Sequence, residues 1–242
     1  MHLNSGENMP DKHISTQFDN ELDKINSHLL AMGGLVESQV AKTMKAFVTM
    51  DMELADEVLL LEKEVNQLEL NIDAECAEIL AMRQPAARDL RLVLAVTKAA
   101  SNLERVGDEA DHIAARIKKI FEANLKYQIN VAEIRIAGQM ALGLLRRSLD
   151  AFARGDSKAA AVIVADDIEI DNEFRGFVRK LTSYMSEDPS IISTALEFLF
   201  IAKAVERIGD HAKNIAEFVI YVDKGADVRH IPQDKLIEEA NK

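Results

Sequence analysis

The sequence predicts an all-α protein, a tandem repeat of two three-helix bundles with six long helices. Three observations carry this. Apolar residues recur every three or four positions over long stretches, the signature of a helix face. Turn-forming residues are scarce, with Gly 10 and Pro 4 in 242 residues, against average usage of about 7 % and 5 %. The chain is also written twice: LERVGDEADHIA at 103–114 lies over VERIGDHAKNIA at 205–216 with seven of twelve positions identical, the mark of a repeat.

The elements follow in order. Residues 1–19 are polar and read as a mobile tail. Leu22, Ile25, Leu29, Met32, Val36, Val40, Met44 and Phe47 form one face of a first helix. Asp51 is a fitting N-cap for a second helix, whose stripe is Val58, Leu61, Val65, Leu68, Ile72, Cys76 and Leu80 and which ends near Gln84-Pro85. A third stripe runs Leu90, Leu94, Thr97, Ala100, Leu103, Val106, Ala110, Ile113, Ile117 and Phe121. Ile134, Met140, Leu144, Leu149 and Phe152 begin the second half, closed by Gly155 with Asp156 as the next N-cap. Val164, Ile168, Phe174, Phe177, Val178 and Leu181 follow, and Asp188-Pro189 opens a last helix that Gly225 closes. KAFVTMD at 45–51 lies over DAFARGD at 150–156, and EKEVN at 62–66 over DIEID at 167–171, so all three helices repeat. The expected organisation is a tail at 1–19, bundles at 20–125 and 126–225, and a polar tail at 226–242. One fused six-helix domain is the alternative.

Composition narrows the function. A net charge of -12 argues against nucleic acid as a partner, since a phosphate backbone needs a basic footprint. There is no Gly-rich phosphate loop. The single cysteine, Cys76, reads as a small core residue and allows no disulfide. With no signal peptide and no run of 18 apolar residues, a soluble cytoplasmic protein is expected.

The sharpest polar feature is Glu-Arg-Val/Ile-Gly-Asp at 104–108 and 206–210. Glu104 and Asp108, like Glu206 and Asp210, share a helix face one turn apart, a spacing that destabilises an isolated helix. Gly107 and Gly209 each cost roughly 1 kcal/mol relative to Ala. A bound cation explains both choices. Each middle helix carries a matching pair, Glu62 with Asn66 and Asp167 with Asp171. If the middle and last helices pack antiparallel, each bundle presents four oxygen-bearing side chains, a set that favours Mg, Mn or Fe over structural zinc. Asp111 and Asn214 are nearby candidates at non-equivalent positions. Solvated acidic faces with surface ion pairs from Arg105 and Arg207 are the plain alternative. His28, His112 and His211 do not align with one another. Glu109-Ala-Asp-His112 fits the Glu-x-x-His of di-iron proteins but lacks the required second copy. No constellation reads as catalytic. Arg83-Gln84-Pro85-Ala86-Ala87-Arg88-Asp89-Leu90-Arg91, at a helix junction, is either a turn with first-turn charges or a partner-contact surface built on Arg83, Asp89 and Arg91.

HLLAMGGLVESQV at 28–40, RQPAARDLR at 83–91, LERVGDEADHIA and VERIGDHAKNIAE at 205–217 together resemble the PhoU family over about residues 14–232. The resemblance implies two three-helix bundles, a cytoplasmic homodimer and no catalytic activity. It implies negative regulation of the phosphate-starvation response, as an adaptor between the ATPase of a phosphate ABC transporter and a sensor histidine kinase, reaching the membrane only through these partners. It also implies metal ions (Fe, Mn, Mg or Zn) at E/D-x-x-x-D motifs, matched here by Glu104/Asp108, Glu206/Asp210 and Asp167/Asp171. Glu62/Asn66 departs from the motif, because Asn supplies a neutral carbonyl, so a first-repeat site that is weaker or occupied differently is expected. A metal-dependent enzyme or a metal-storing bundle is the competing class.

Overall fold

The computed structural model describes residues 16–122 and 129–241. The expected N-terminal tail lies mostly outside these, and α1 begins inside its boundary, at Thr16. The six long helices are α1 (Thr16–Thr49), α2 (Met52–Arg83), α3 (Ala87–Glu122), α4 (Ala132–Arg154), α5 (Ser157–Glu187) and α6 (Ile192–Lys224). No strand occurs among the described residues.

The punctuation follows local chemistry. Asp51 accepts from the Leu54 amide at 3.0 Å and Asp156 from the Ala159 amide at 2.9 Å, so each middle helix opens on a carboxylate cap. Gly155 and Gly225 close α4 and α6 in the left-handed region. Asp188 caps a short 3-10 turn, Pro189–Ile191, that leads into α6.

Helices α1–α3 pack on one another, as do α4–α6, yet the most extensive pairing joins α3 to α6 across the repeats. A single hydrophobic core runs through all six helices. The two bundles are therefore fused along a common wall. A second contact joins α1 to α4 and is reciprocal. A Cβ at Gly33 of α1 would stand 2.6 Å from Leu149 of α4, and one at Gly138 of α4 would run into Met44 of α1. The 105-residue offset that overlays 45–51 on 150–156 also pairs Gly33 with Gly138 and Met44 with Leu149. The halves thus meet about a pseudo-two-fold axis.

Three expectations change. Leu90, Phe121, Met140 and Ile168, read as core, are exposed. Leu90 and Phe121 occupy the end turns of α3, and Met140 flanks a buried face made of small residues, Ala137, Gly138 and Ala141. On α5 the stripe holds at Phe177 and Leu181, both buried, but its first half lies on Ile163, Asp167 and Ile170 rather than on Val164 and Ile168, because the polar Asp167 belongs to the buried face. The segment after Gly225 is not a bare polar tail. It carries α7 (Gln233–Asn241), docked on α5 with Leu236 and Ala240 buried and with Ser157 Oγ donating to the Ala240 carbonyl at 3.4 Å.

The glycines give an opposed pair of outcomes. Gly33→Val should lower stability by roughly 1–3 kcal/mol through overpacking against Leu149. Gly143→Ala in α4, where a Cβ meets nothing within 4 Å, should raise it by up to about 1 kcal/mol. Urea denaturation of both variants checks the signs.

Candidate metal centre

In the first repeat, Glu62 of α2 lies near enough to Glu104 and Asp108 of α3 for the carboxylates to act on one another, and these three, with Asn66 one turn along α2, are half-buried. Gly107 makes room chiefly for α1: a Cβ there would stand 3.2 Å from Oε1 of the fully buried Gln39, and 3.4 Å, an ordinary contact, from Val65 of α2. Gln39 Nε2 donates to Asp111 Oδ1 at 2.9 Å, and Asp111 shares a further hydrogen bond with Glu62. Burial and the Glu62 carboxyl push Asp111 up to about 7. Burial also raises Asp108, Glu104 and Glu69, and neighbouring carboxylates add to each. Among the described residues no Lys or Arg ion pair reaches Glu62, Glu104, Asp108 or Asp111. The cluster is a concentration of negative charge that Arg105, acting on Glu104, and His112, acting on Asp108, offset only in part.

The second repeat has the same framework with different electrostatics. A Cβ at Gly209 would stand 2.8 Å from Ile170 and 3.1 Å from Asp167 Oδ1, so α6 meets α5 more tightly here than α3 meets α2 at Gly107. Here Lys213 Nζ sits 2.7 Å from Asp167 and 3.1 Å from Asp210. Burial works to lower Lys213, and the two carboxylates overturn this and hold it above the usual lysine range. Glu206 pairs with Lys203 at 2.5 Å and Asp171 with Arg175 at 3.3 Å.

The eight predicted ligands therefore divide. Glu62, Glu104 and Asp108 converge electrostatically, with Asn66 one turn along α2. Asp167 and Asp210 converge on an ammonium, while Glu206 and Asp171 hold their own partners. Among the described residues, no three His, Cys, Asp or Glu side chains are already gathered to hold a metal. The first donor set fits a hard cation, being all oxygen, partly buried and, among the described residues, without an ion-paired Lys or Arg. The second already contains one. Asp111 is among the nearby candidates the sequence offers, whereas Lys213, Lys203 and Arg175 are not; the signal for Lys213 is its place opposite Asp111, an opposite-charge mismatch inside an otherwise matched repeat.

The junction residues are tied into the fold. Arg83 grips Glu21 of α1 with bonds of 2.8 and 2.5 Å. Arg91 donates twice to the Val222 carbonyl of α6 at 3.3 Å. Asp89 lies in the first turn of α3. His28 pairs with Glu75, and His211 lies 3.1 Å from Asn102, so the histidines serve separate contacts. Cys76 is buried as expected.

The PhoU domain family model matches residues 29–117 and 134–219, one match per repeat. The chain is 47 % identical over 233 residues to the phosphate-specific transport system accessory protein PhoU homolog of a Burkholderia species, covering 96 % of this chain and 99 % of that one. It is 41 % identical to the PhoU of Escherichia coli K12, covering 93 % and 92 %. The crystal structure of PhoU from Pseudomonas aeruginosa superposes with a TM-score of 0.84 at 44 % identity, covering 87 % of this chain and all of that one (100 %). The phosphate transport system regulatory protein PhoU from Streptococcus pneumoniae gives 0.82 at 28 % identity, covering 88 % and 100 %.

The state of Asp111 makes stability depend on pH. Its carboxyl titrates near 3.8 when unfolded and near 7 when folded, so the folded chain keeps a proton that the unfolded chain releases. Its contribution is undiminished below 3.8, falls as pH rises to about 7, and stays reduced above. Asp111→Asn, which mimics the protonated acid, should raise the melting temperature of chelator-treated protein at pH 8 and leave it nearly unchanged at pH 4. Thermal melts at both pH values check this.

Proposed function

The chain belongs to the PhoU family, and from that premise we propose that it is an accessory protein of phosphate-specific transport that restrains phosphate uptake and the phosphate-starvation response. What carries this reading is the likeness to named phosphate transport accessory proteins along nearly the whole of both chains. No described helix is long and apolar enough to cross a membrane. The protein then works in the cytoplasm, as a homodimer and without catalysis, as an adaptor between the ATPase of a phosphate ABC transporter and a sensor histidine kinase. Relatives named as accessory and regulatory proteins support a non-enzymatic role.

Metal belongs to the same reading. Glu62, Glu104 and Asp108, with the Asn66 carbonyl, would hold a hard divalent or trivalent ion such as Mg, Mn or Fe, whose charge cancels the repulsion between α2 and α3. Two unit charges about 4 Å apart repel by about 4 kcal/mol at the effective dielectric of a protein surface, enough to set how firmly these helices are held. The partner surfaces sit on those helices, so a firmly held first repeat presents a defined face.

A strain lacking this protein and carrying a phosphate-regulated reporter tests the proposal. The wild-type chain should restore repression in phosphate-replete medium, and Glu62→Gln/Asp108→Asn should restore it poorly. The kinase or the transporter ATPase should co-purify from membranes with the wild type. Full expression of the reporter despite the wild-type chain, with neither partner recovered, would sink the adaptor. Because the first-repeat carboxylates are only partly compensated, a metal-dependent hydrolase is the second reading. It gains only if purified protein turns over phosphate esters and Asp108→Asn abolishes turnover.

A further inference from the structure

The offset that overlays 103–114 on 205–216 places Lys213 opposite Asp111 and Lys203 opposite Ser101. The offset that overlays 62–66 on 167–171 places Arg175 opposite Leu70. These are the three cations that neutralise the second acidic cluster. In the first repeat their places hold a carboxylate, a hydroxyl and a leucine. The acids themselves are kept: Glu104 and Asp108 match Glu206 and Asp210, and Glu62 matches Asp167.

Lys213 also occupies a particular place. Its ammonium lies between Asp167 of α5 and Asp210 of α6, at 2.7 and 3.1 Å, and so links the middle and last helices of its repeat. Glu62 of α2 and Asp108 of α3 are the equivalent acids, and among the described residues no Lys or Arg is ion-paired with either. Positive charge reaches this cluster from His112 on Asp108 and from Arg105 on Glu104, and neither bridges the helices. Glu206 and Asp171 are turned to Lys203 and Arg175. An incoming metal ion at the second repeat would have to displace an ammonium and desolvate acids already paired. At the first repeat it would relieve repulsion.

We propose that the Lys213 ammonium is the built-in cation of the second repeat, so that this chain takes exchangeable metal in its first repeat alone. The first-repeat half of the statement rests on the cation reading above, and the second-repeat half stands by itself. The duplication has diverged into one half that is permanently bridged and one that is bridged only when metal is present.

Mn2+ binding to the full chain, by equilibrium dialysis with metal analysis, tests both halves. Asp108→Asn should weaken Mn2+ binding to the wild type by about tenfold or more, and Asp210→Asn should shift it by less than about twofold. Lys213→Met, which removes the ammonium, should gain a further class of bound Mn2+ that the added Asp210→Asn abolishes. The converse exchange, Asp111→Lys, should cost first-repeat binding as Asp108→Asn does. Loss of Mn2+ in Asp210→Asn equal to that in Asp108→Asn overturns the proposal, as does a folded Lys213→Met with no gain. Lys213→Gln replaces Lys213→Met should the latter not fold, and if neither folds, the comparison of Asp108→Asn with Asp210→Asn decides. Failure of the cation reading itself looks different: the wild type then has no Mn2+ for Asp108→Asn to remove, while Lys213→Met still gains its Asp210-dependent ions.

Discussion

Both acidic motifs ride on α3 and α6, the two helices that form the wall between the bundles, and the packing along that wall governs the rest of the molecule. Each helix must serve its own bundle on one side and the other repeat on the opposite side. The result is visible in α6, where six consecutive residues, Ile215 to Ile220, are buried. A helix enclosed in this way cannot shift without disturbing both cores, because close-packed interiors do not deform continuously. The wall also has polar clasps. Arg207 of α6 donates to Glu109 of α3 at 2.8 Å, and Asn102 Oδ1 accepts from Asn214 at 3.1 Å. The last helices are thus fixed by the wall, and only the distance to their middle helices is left to be set by charge.

That distance is where the repeats part. Gly107 and Gly209 both lie beside the middle helix, more tightly at Gly209, where a Cβ would stand 2.8 Å from Ile170, than at Gly107, where it would stand 3.4 Å from Val65. The like charges brought together must then be balanced, since desolvation magnifies their repulsion. One repeat balances them with side chains of its own. The other pairs none of Glu62, Glu104, Asp108 and Asp111 with a Lys or Arg among the described residues, and the burial-raised Asp111 carboxyl holds a proton beside Glu62 instead.

Much of the fold was legible in the sequence because its signals are local. Asp51, Asp156, Gly155 and Gly225 act within a turn of their own positions, and they cap the helices as read. The repeat was legible because identity at a fixed offset needs no structure. Helix faces were less so. The first half of the α5 stripe falls beside its true face, because a buried Asp167 looks like a surface residue until Lys213 is seen beside it, while Phe177 and Leu181 are buried as read. The same contact explains the site. The acidic positions were found from spacing, but their inequality lay in Asp111, Lys213, Lys203 and Arg175. The partners that give those residues meaning lie on other helices or across the repeat. The docking of α7 was hidden because its apolar contribution, Leu236 and Ala240, is too short to stand out as a stripe.

The mutual seats of Gly33 with Leu149 and Gly138 with Met44 carry a consequence for the ancestry of such a chain. Each repeat bears a notch and a knob on the same helix, so a single repeat is complementary to a copy of itself. Such a surface is isologous, and two free copies brought together by it close on a two-fold axis with nothing left over. The present chain has the form of such a pair joined end to end, with its two halves since free to acquire different charges.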